Sequence, residues 1–246
     1  MSKIIVITGA GDGLGRVLAR RFAEDGDTVY LLGRTASKVE RAADEIGERA
    51  TAISCDVSSP DAVRAAFAKI AERHPKIDVL INNAGIFEPG VIAEADDDYI
   101  LRAINTNLTG AMFCARAALG MMESGGQIIN VSSESIEQEH RMLIPYQASK
   151  AGLERFSHTL QKEVESSGVR VSTVRCGAMV GTEMKGFTVP PETAARFFHA
   201  NLEAGLNLMQ QPVSSYGSLY CVFRLMVDLP VDLHVGKIEV HARKQV

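Results

Sequence analysis

Short β-branched runs alternate with longer helical patterns along this chain, and that alternation restricts its possible folds more than any other feature. The runs Lys3–Thr8, Thr28–Leu32, Ala50–Cys55, Val79–Asn82, Gln127–Val131, Val169–Val174 and Lys237–His241 have the length and residue types of strands. Between them apolar residues recur at helical spacing. Leu14, Val17, Leu18 and Phe22 share one face, as do Val63, Phe67 and Ile70, and later Leu153, Phe156 and Leu160. Ser58-Ser59-Pro60-Asp61 reads as a helix start, because Pro is tolerated in the first helical turn. The pattern predicts an α/β protein with a doubly wound parallel sheet of about seven strands, helices on both faces and right-handed crossovers. No repeat or Pro/Ser/Gly-rich linker interrupts it, so the 246 residues are expected to form one domain. Ligands bind such sheets at the carboxyl ends of the strands, where strand order reverses.

Composition narrows the function classes. Hydrophobic residues make up 46%, charged residues 23%, and the net charge is −4, with no Lys/Arg cluster interleaved with aromatics to hold nucleic acid. Cys55, Cys114, Cys176 and Cys221 lie far apart and read as buried thiols of a reducing compartment. The six histidines are equally dispersed, so no metal site is expected. The apolar run KIIVIT is too short for a signal-peptide core, and none reaches the roughly 18 residues of a membrane span. A cytoplasmic protein is the expectation.

The first strand runs directly into Thr8-Gly9-Ala10-Gly11-Asp12-Gly13-Leu14-Gly15 and then a helix. Glycines let backbone approach a phosphate, and a helix N-terminus offers free N–H groups and the positive end of its dipole. A plain tight turn has the same composition, but its place in the first βα unit favours a nucleotide. The second strand ends Leu31-Leu32-Gly33-Arg34. An acid near this point would take ribose hydroxyls, whereas an arginine suits the additional phosphate of NADP, so NADP(H) is expected over NAD(H). Asp12 opposes this. At ~8 Å and an effective dielectric of ~20, a carboxylate repels each unit of phosphate charge by about 2 kcal/mol before screening.

Further motifs follow in order: Cys55-Asp56-Val57, Asn82-Asn83-Ala84-Gly85, Asn105-Thr106-Asn107-Leu108-Thr109-Gly110, Asn130-Val131-Ser132-Ser133 and Tyr146-Gln147-Ala148-Ser149-Lys150. With the glycine-rich turn, this set, spanning about Lys3 to Gly177, closely resembles the classical short-chain dehydrogenase/reductase family. The resemblance implies a Rossmann fold and a catalytic tetrad of Asn107, Ser133, Tyr146 and Lys150. Ser133 stands thirteen residues before Tyr146, a family-like separation, with Ser132 the alternative. The resemblance further implies that Gly9, Asp12, Gly13, Leu14 and Gly15 form the cofactor turn and that Asp56 and Val57 hold the adenine. Asn83, Ala84 and Gly85 would line the cofactor channel, and Lys150 would bind the nicotinamide ribose. The Asn107 position would anchor a water in a proton relay.

The chemistry needs these residue types. Hydride addition to a carbonyl leaves an alkoxide, which Tyr146 protonates; in reverse its phenolate removes the proton. Ser133 hydrogen-bonds the oxygen as charge develops. Lowering a tyrosine from pKa 10 to ~7 takes about 4 kcal/mol, beyond an exposed ion pair worth at most ~1 kcal/mol. Lys150, one helical turn from Tyr146, is therefore expected in a water-poor pocket, helped by the positive charge of the oxidised nicotinamide. The competing reading, two polar positions on a surface helix, does not account for the other motifs.

The resemblance thins after the sixth strand. Cys176-Gly177 stands where the family usually has Pro-Gly, and Thr182 lies one residue beyond the family's usual nicotinamide threonine. Gly177, Val180 and Thr182 are the expected cofactor contacts here, with backbone near Met179–Val180 as the substitute for Thr182. Cys176 reads as a buried apolar thiol rather than a redox group. The cofactor part is thus about 1–177, a substrate loop about 178–211, and a C-terminal helix and strand 212–246. Met184, Phe187, Phe197, Phe198, Leu202, Leu206 and Met209 make that loop either a mobile apolar lid or a core or interface helix at Pro191–Asn207. The partner is expected to be a small carbonyl or alcohol. Two alternatives are a retired nucleotide-binding scaffold and a reductase of carrier-bound 3-oxoacyl groups, which would need a basic docking patch drawn from Arg141, Lys185 and Arg196. A homodimer or homotetramer pairing the helices of Asn107 and Tyr146 is implied by the resemblance alone.

Overall fold

The computed structural model describes residues 2–181 and 189–244. Its main sheet contains β1 (Ile4–Thr8), β2 (Thr28–Gly33), β3 (Ala50–Ser54), β4 (Val79–Asn82), β5 (Gln127–Ser133), β6 (Arg170–Cys176) and β9 (Lys237–Val240). All pairings are parallel, in the order β3-β2-β1-β4-β5-β6-β9. The short strands β7 (Met179–Val180) and β8 (Ser214–Ser215) pair separately. The helices are α1 (Gly13–Glu24), α2 (Ala36–Ile46), α3 (Pro60–Arg73), α4 (Asp97–Ile104), α5 (Gly110–Leu119), α6 (Ile144–Val164), α7 (Pro191–Glu203) and α8 (Tyr216–Asp228).

Alternation along the strands divides the core in two. Ile5, Ile7, Val29 and Leu31 face α1, α2 and α8, where Leu14, Leu18, Phe22, Val39 and Phe223 are buried. Val6, Tyr30, Leu32 and Leu80 face the other way, onto Val63, Phe67, Ile70, Cys114 and Leu160 of α3, α5 and α6. A sheet buried on both faces has near-continuous apolar strands, as in the sequence. Strand order reverses between β1 and β4, whose carboxyl ends therefore flank the crevice.

Some expectations shift. β5 runs on to Ser133 and β6 to Cys176, so both strands reach the crevice. Helix α7 ends at Glu203, short of the expected Asn207. Cys55, Cys114 and Cys176 are buried thiols, but Cys221 is exposed on α8. None of the described helices is long and apolar enough to cross a membrane.

Candidate active site

The glycine-rich turn is fixed from both flanks. Thr8 Oγ1 accepts hydrogen bonds from the backbone N–H of Asn83 and of Ala84, each at 3.0 Å, and the Asn83 amide donates to Thr8 O at 3.0 Å. The ends of β1 and β4 are thereby tied together, and the Asn83 side chain is spent on the turn. Gly9 has φ +66°, and a Cβ there would stand 2.8 Å from Ala84 Cα, so only glycine fits. Asp12 caps α1, its Oδ1 accepting from Gly13 N at 2.9 Å.

Asp12 does not face the crevice as an uncompensated charge. Its Oδ2 accepts from Lys38 Nζ at 2.8 Å. Burial alone would raise its pKa, but the Lys38 and Gly13 hydrogen bonds outweigh it and the carboxyl lies below its usual range. Sequence reasoning missed Lys38; its place one helical turn after Arg34 was the available signal. The Arg34 side chain is exposed and makes no hydrogen bond or ion pair among the described residues. Asp56 Oδ1 accepts from Ser58 N and Oγ, which turns the chain out of β3, and Val57 is buried beside Gly110.

The four tetrad positions converge at the ends of β4 and β5. A buried polar chain sets α6 against the sheet: Asn82 donates to Asn130 at 2.9 Å, and Asn130 to Ser157 at 2.8 Å. Asn107 sits in a π-turn, Asn105–Thr109, between α4 and α5, a local widening frequent at functional sites. Its Oδ1 accepts from Ile86 N at 2.8 Å, and its Nδ2 donates to Ile86 O at 3.1 Å and Ser149 Oγ at 3.0 Å. Lys150, 4% exposed, donates from Nζ to Val131 O at 2.7 Å and lies 6.0 Å from the centre of the Tyr146 ring. Gly85 leaves room above it, since a Cβ there would stand 3.4 Å from Lys150 Nζ and 3.3 Å from Asn107 Oδ1. Gly9 and Gly85 lie close together at the neighbouring ends of β1 and β4, where the absence of side chains leaves the backbone open to a ligand at the point where strand order reverses.

Burial governs the electrostatics. It lowers the Lys150 ammonium to about 8, against the influence of the nearby Cys176 thiol. It raises the Tyr146 phenol above 10, against hydrogen bonding by Ser133, with Cys176 adding to the rise. Cys176 is itself pushed up to about 12 by burial. Lys150 thus occupies the water-poor pocket expected of it, but the protein alone does not lower the tyrosine.

Thr182, together with Met184, Lys185 and Phe187, lies outside the described residues. Gly177 donates its N–H to Val240 O at 2.8 Å, and Val180 is exposed in β7. Helix α7 is anchored: Phe197 and Asn201 are buried, and Asn201 Oδ1 accepts from Arg141 N at 3.0 Å. Phe87 meets the Tyr146 ring edge-on at 5.1 Å and Phe197 at 5.8 Å. Of the basic candidates, Arg196 forms a two-pronged pair with Glu94, and Arg141 faces Glu203 at 3.7 Å.

Strand order, a glycine-rich turn at the reversal point and a half-buried tyrosine one helical turn before a buried lysine together define a dinucleotide-dependent oxidoreductase. The chain belongs to the short-chain dehydrogenase family, whose sequence model matches residues 3–193. It is an NAD(P)-dependent oxidoreductase acting on CH–OH or C=O groups. It is 35% identical to a 3β-hydroxysteroid dehydrogenase of Mediterraneibacter gnavus over 187 residues, 74% of this chain and 67% of that one. It is also 35% identical to an NADP-dependent 3-hydroxy acid dehydrogenase of Salmonella typhimurium over 185 residues, 73% of this chain and 74% of that one. The closed form of a serine dehydrogenase complexed with NADP+ superimposes with a TM-score of 0.80 at 27% identity, covering 99% of this chain and 96% of that one.

Proposed function

We propose that the protein is an NADP(H)-dependent reductase of small carbonyl compounds, with Tyr146 as proton donor and Ser133, Lys150 and Asn107 as its partners. The observation that carries this reading is the convergence of these four residues beside the glycine-rich turn, with Lys150 buried below Gly85. The nicotinamide, when bound, supplies the hydride. Gly9 to Gly15 would hold the diphosphate, Asp56 and Val57 the adenine, and Asn83 to Gly85 with Gly177 and Val180 the nicotinamide half. Ser133 orients the carbonyl oxygen, and the raised phenol of Tyr146 keeps its proton until an alkoxide takes it.

The NADP preference rests on Arg34, whose exposed side chain has no partner among the described residues, one helical turn before Lys38. A 2′-phosphate there would meet two cations while Lys38 offsets Asp12. A NADP-bound structural relative supports the same choice. Carrier-bound substrates are disfavoured, because Arg141 and Arg196 already pair with acids. A retired scaffold is disfavoured by the intact tetrad. Assembly through the helices of Asn107 and Tyr146 into a homodimer or homotetramer accompanies this reading, and free cysteines suit a cytoplasmic setting.

Fluorescence titration of NADPH and NADH against the wild type, Arg34→Ala and Lys38→Ala tests the cofactor; each variant should lose most of any NADPH advantage. Tyr146→Phe should abolish reduction across a carbonyl panel while NADPH binding persists. Activity retained by Tyr146→Phe refutes the assignment.

A further inference from the structure

We propose that Glu134 is a positioning residue for the nicotinamide side of the site, its carboxylate clamping the backbone that leaves β6 to the end of β5. The inference rests on the dinucleotide reading above. β5 and β6 end in register, Ser133 opposite Cys176, so Glu134 and Gly177 are the first residues beyond two neighbouring strands. Glu134 Oε1 accepts from Ala178 N at 3.0 Å, and Oε2 meets His241 Nδ1 at 3.0 Å. The side chain is only 18% exposed, although it lies in a one-turn helix at a strand end. A Cβ on residue 177 would stand 2.8 Å from Glu134 Oε2 and would push the carboxylate from its place, so glycine here suits the close approach of backbone and carboxylate.

The clamped peptide is fixed on its other sides too. Ala178 O accepts from Ser214 N at 3.0 Å, and Gly177 N donates to Val240 O at 2.8 Å. Glu134 supplies the acceptor for Ala178 N, the contact that ties this peptide to the end of β5. The segment it holds follows Cys176 at the end of β6 and continues into Met179–Val180. Glu134 therefore couples the serine end of the site to the backbone wall opposite, without itself touching the reacting atoms.

Fluorescence titration with NADPH on the full chain, with steady-state kinetics, tests this. Glu134→Ala should weaken NADPH about tenfold and raise its KM accordingly, with the carbonyl KM unchanged. Glu134→Gln, whose amide oxygen still accepts from Ala178 N, should stay within about threefold of wild type, as should His241→Ala. Should the alanine variant fail to fold, Glu134→Asp, which withdraws the carboxylate by one methylene, is expected to reproduce the loss. Wild-type affinity in the alanine or aspartate variant overturns the clamp, and so does an equal loss in Glu134→Gln, which would assign the effect to charge. A wild-type protein that binds neither NADPH nor NADH overturns the dinucleotide reading and the clamp with it.

Discussion

Replacing Lys150 with Met should stabilise the folded protein at neutral pH while abolishing turnover. The ammonium pKa falls from 10.5 to about 8 through burial. At about 1.4 kcal/mol per pKa unit, holding the charged form in the fold costs about 3 kcal/mol. Losing the hydrogen bond to Val131 O returns about 1 kcal/mol of that, for a net gain of about 2 kcal/mol, or roughly 4–8 °C in Tm at this chain length. Below pH 8 the folded and unfolded chains both carry the proton, and the penalty is complete. Between pH 8 and 10.5 the unfolded chain binds a proton that the folded chain has released, so wild-type stability gains on the variant as pH rises. Above 10.5 the neutral amine keeps its bond to Val131 at no electrostatic cost, and the wild type leads by about 1 kcal/mol, with the crossing between about pH 9 and 10. Urea denaturation of both proteins from pH 7 to 11, followed by circular dichroism, reads the difference directly, because groups common to the two cancel. A pH-independent difference, or a Met variant less stable than wild type at pH 7, would refute the reasoning.

Arg175, buried in β6, pairs with Glu154 at 2.6 Å, Glu137 at 2.9 Å and Glu239 at 3.0 Å. Arg175→Met leaves Glu154 without its main partner and should cost about 3–5 kcal/mol, a fall in Tm on the order of 10 °C. Burial would raise the Glu154 carboxyl, but Arg175 holds it below its usual 4.5, so the stability from this pair is complete above that value and lost as pH falls through the lowered one. Acid denaturation should therefore begin at higher pH in the Arg175 variant than in the wild type. Asn107→Leu strands both the N–H and the C=O of Ile86, and about 2–3 kcal/mol should be lost in urea denaturation. By the same reading its kcat should drop without a matching rise in the carbonyl KM.

The fold was legible because burial on both sheet faces imposes near-continuous apolar strands, and those are visible one run at a time. The positions proposed as the tetrad could be placed from the sequence because three of them sit at simple points of local structure: Ser133 ends β5, and Tyr146 and Lys150 stand one turn apart on α6. The missed residues act over long sequence separations. Lys38 reaches Asp12 across 26 residues, and Glu134 reaches Ala178 across 44 and His241 across 107. Only the register of neighbouring strands brings such groups together, and composition does not encode it. The choice between lid and packed helix for α7 also depended on tertiary contact. Asn201 bonds the backbone of Arg141 and buries Phe197 alongside, tying this helix to the segment that leads into Tyr146.

The opposed shifts at Tyr146 and Lys150 share one origin, and it bears on direction. Burial disfavours each charged form, so the phenol rises above 10 while the ammonium falls to about 8. The Lys150 ammonium lies 6.0 Å from the centre of the Tyr146 ring, and burial is the largest influence on the phenol, holding it above its ordinary value. In the proposed role of Tyr146, the protein alone would thus hold it as a proton donor, the form that carbonyl reduction consumes. Making it a base needs further positive charge in the crevice, which the oxidised nicotinamide carries and the reduced one does not. The same residues then present an acid when the reduced cofactor arrives and move toward a base when the oxidised one does. Proton transfer would follow the redox state of the cofactor without any other group changing place.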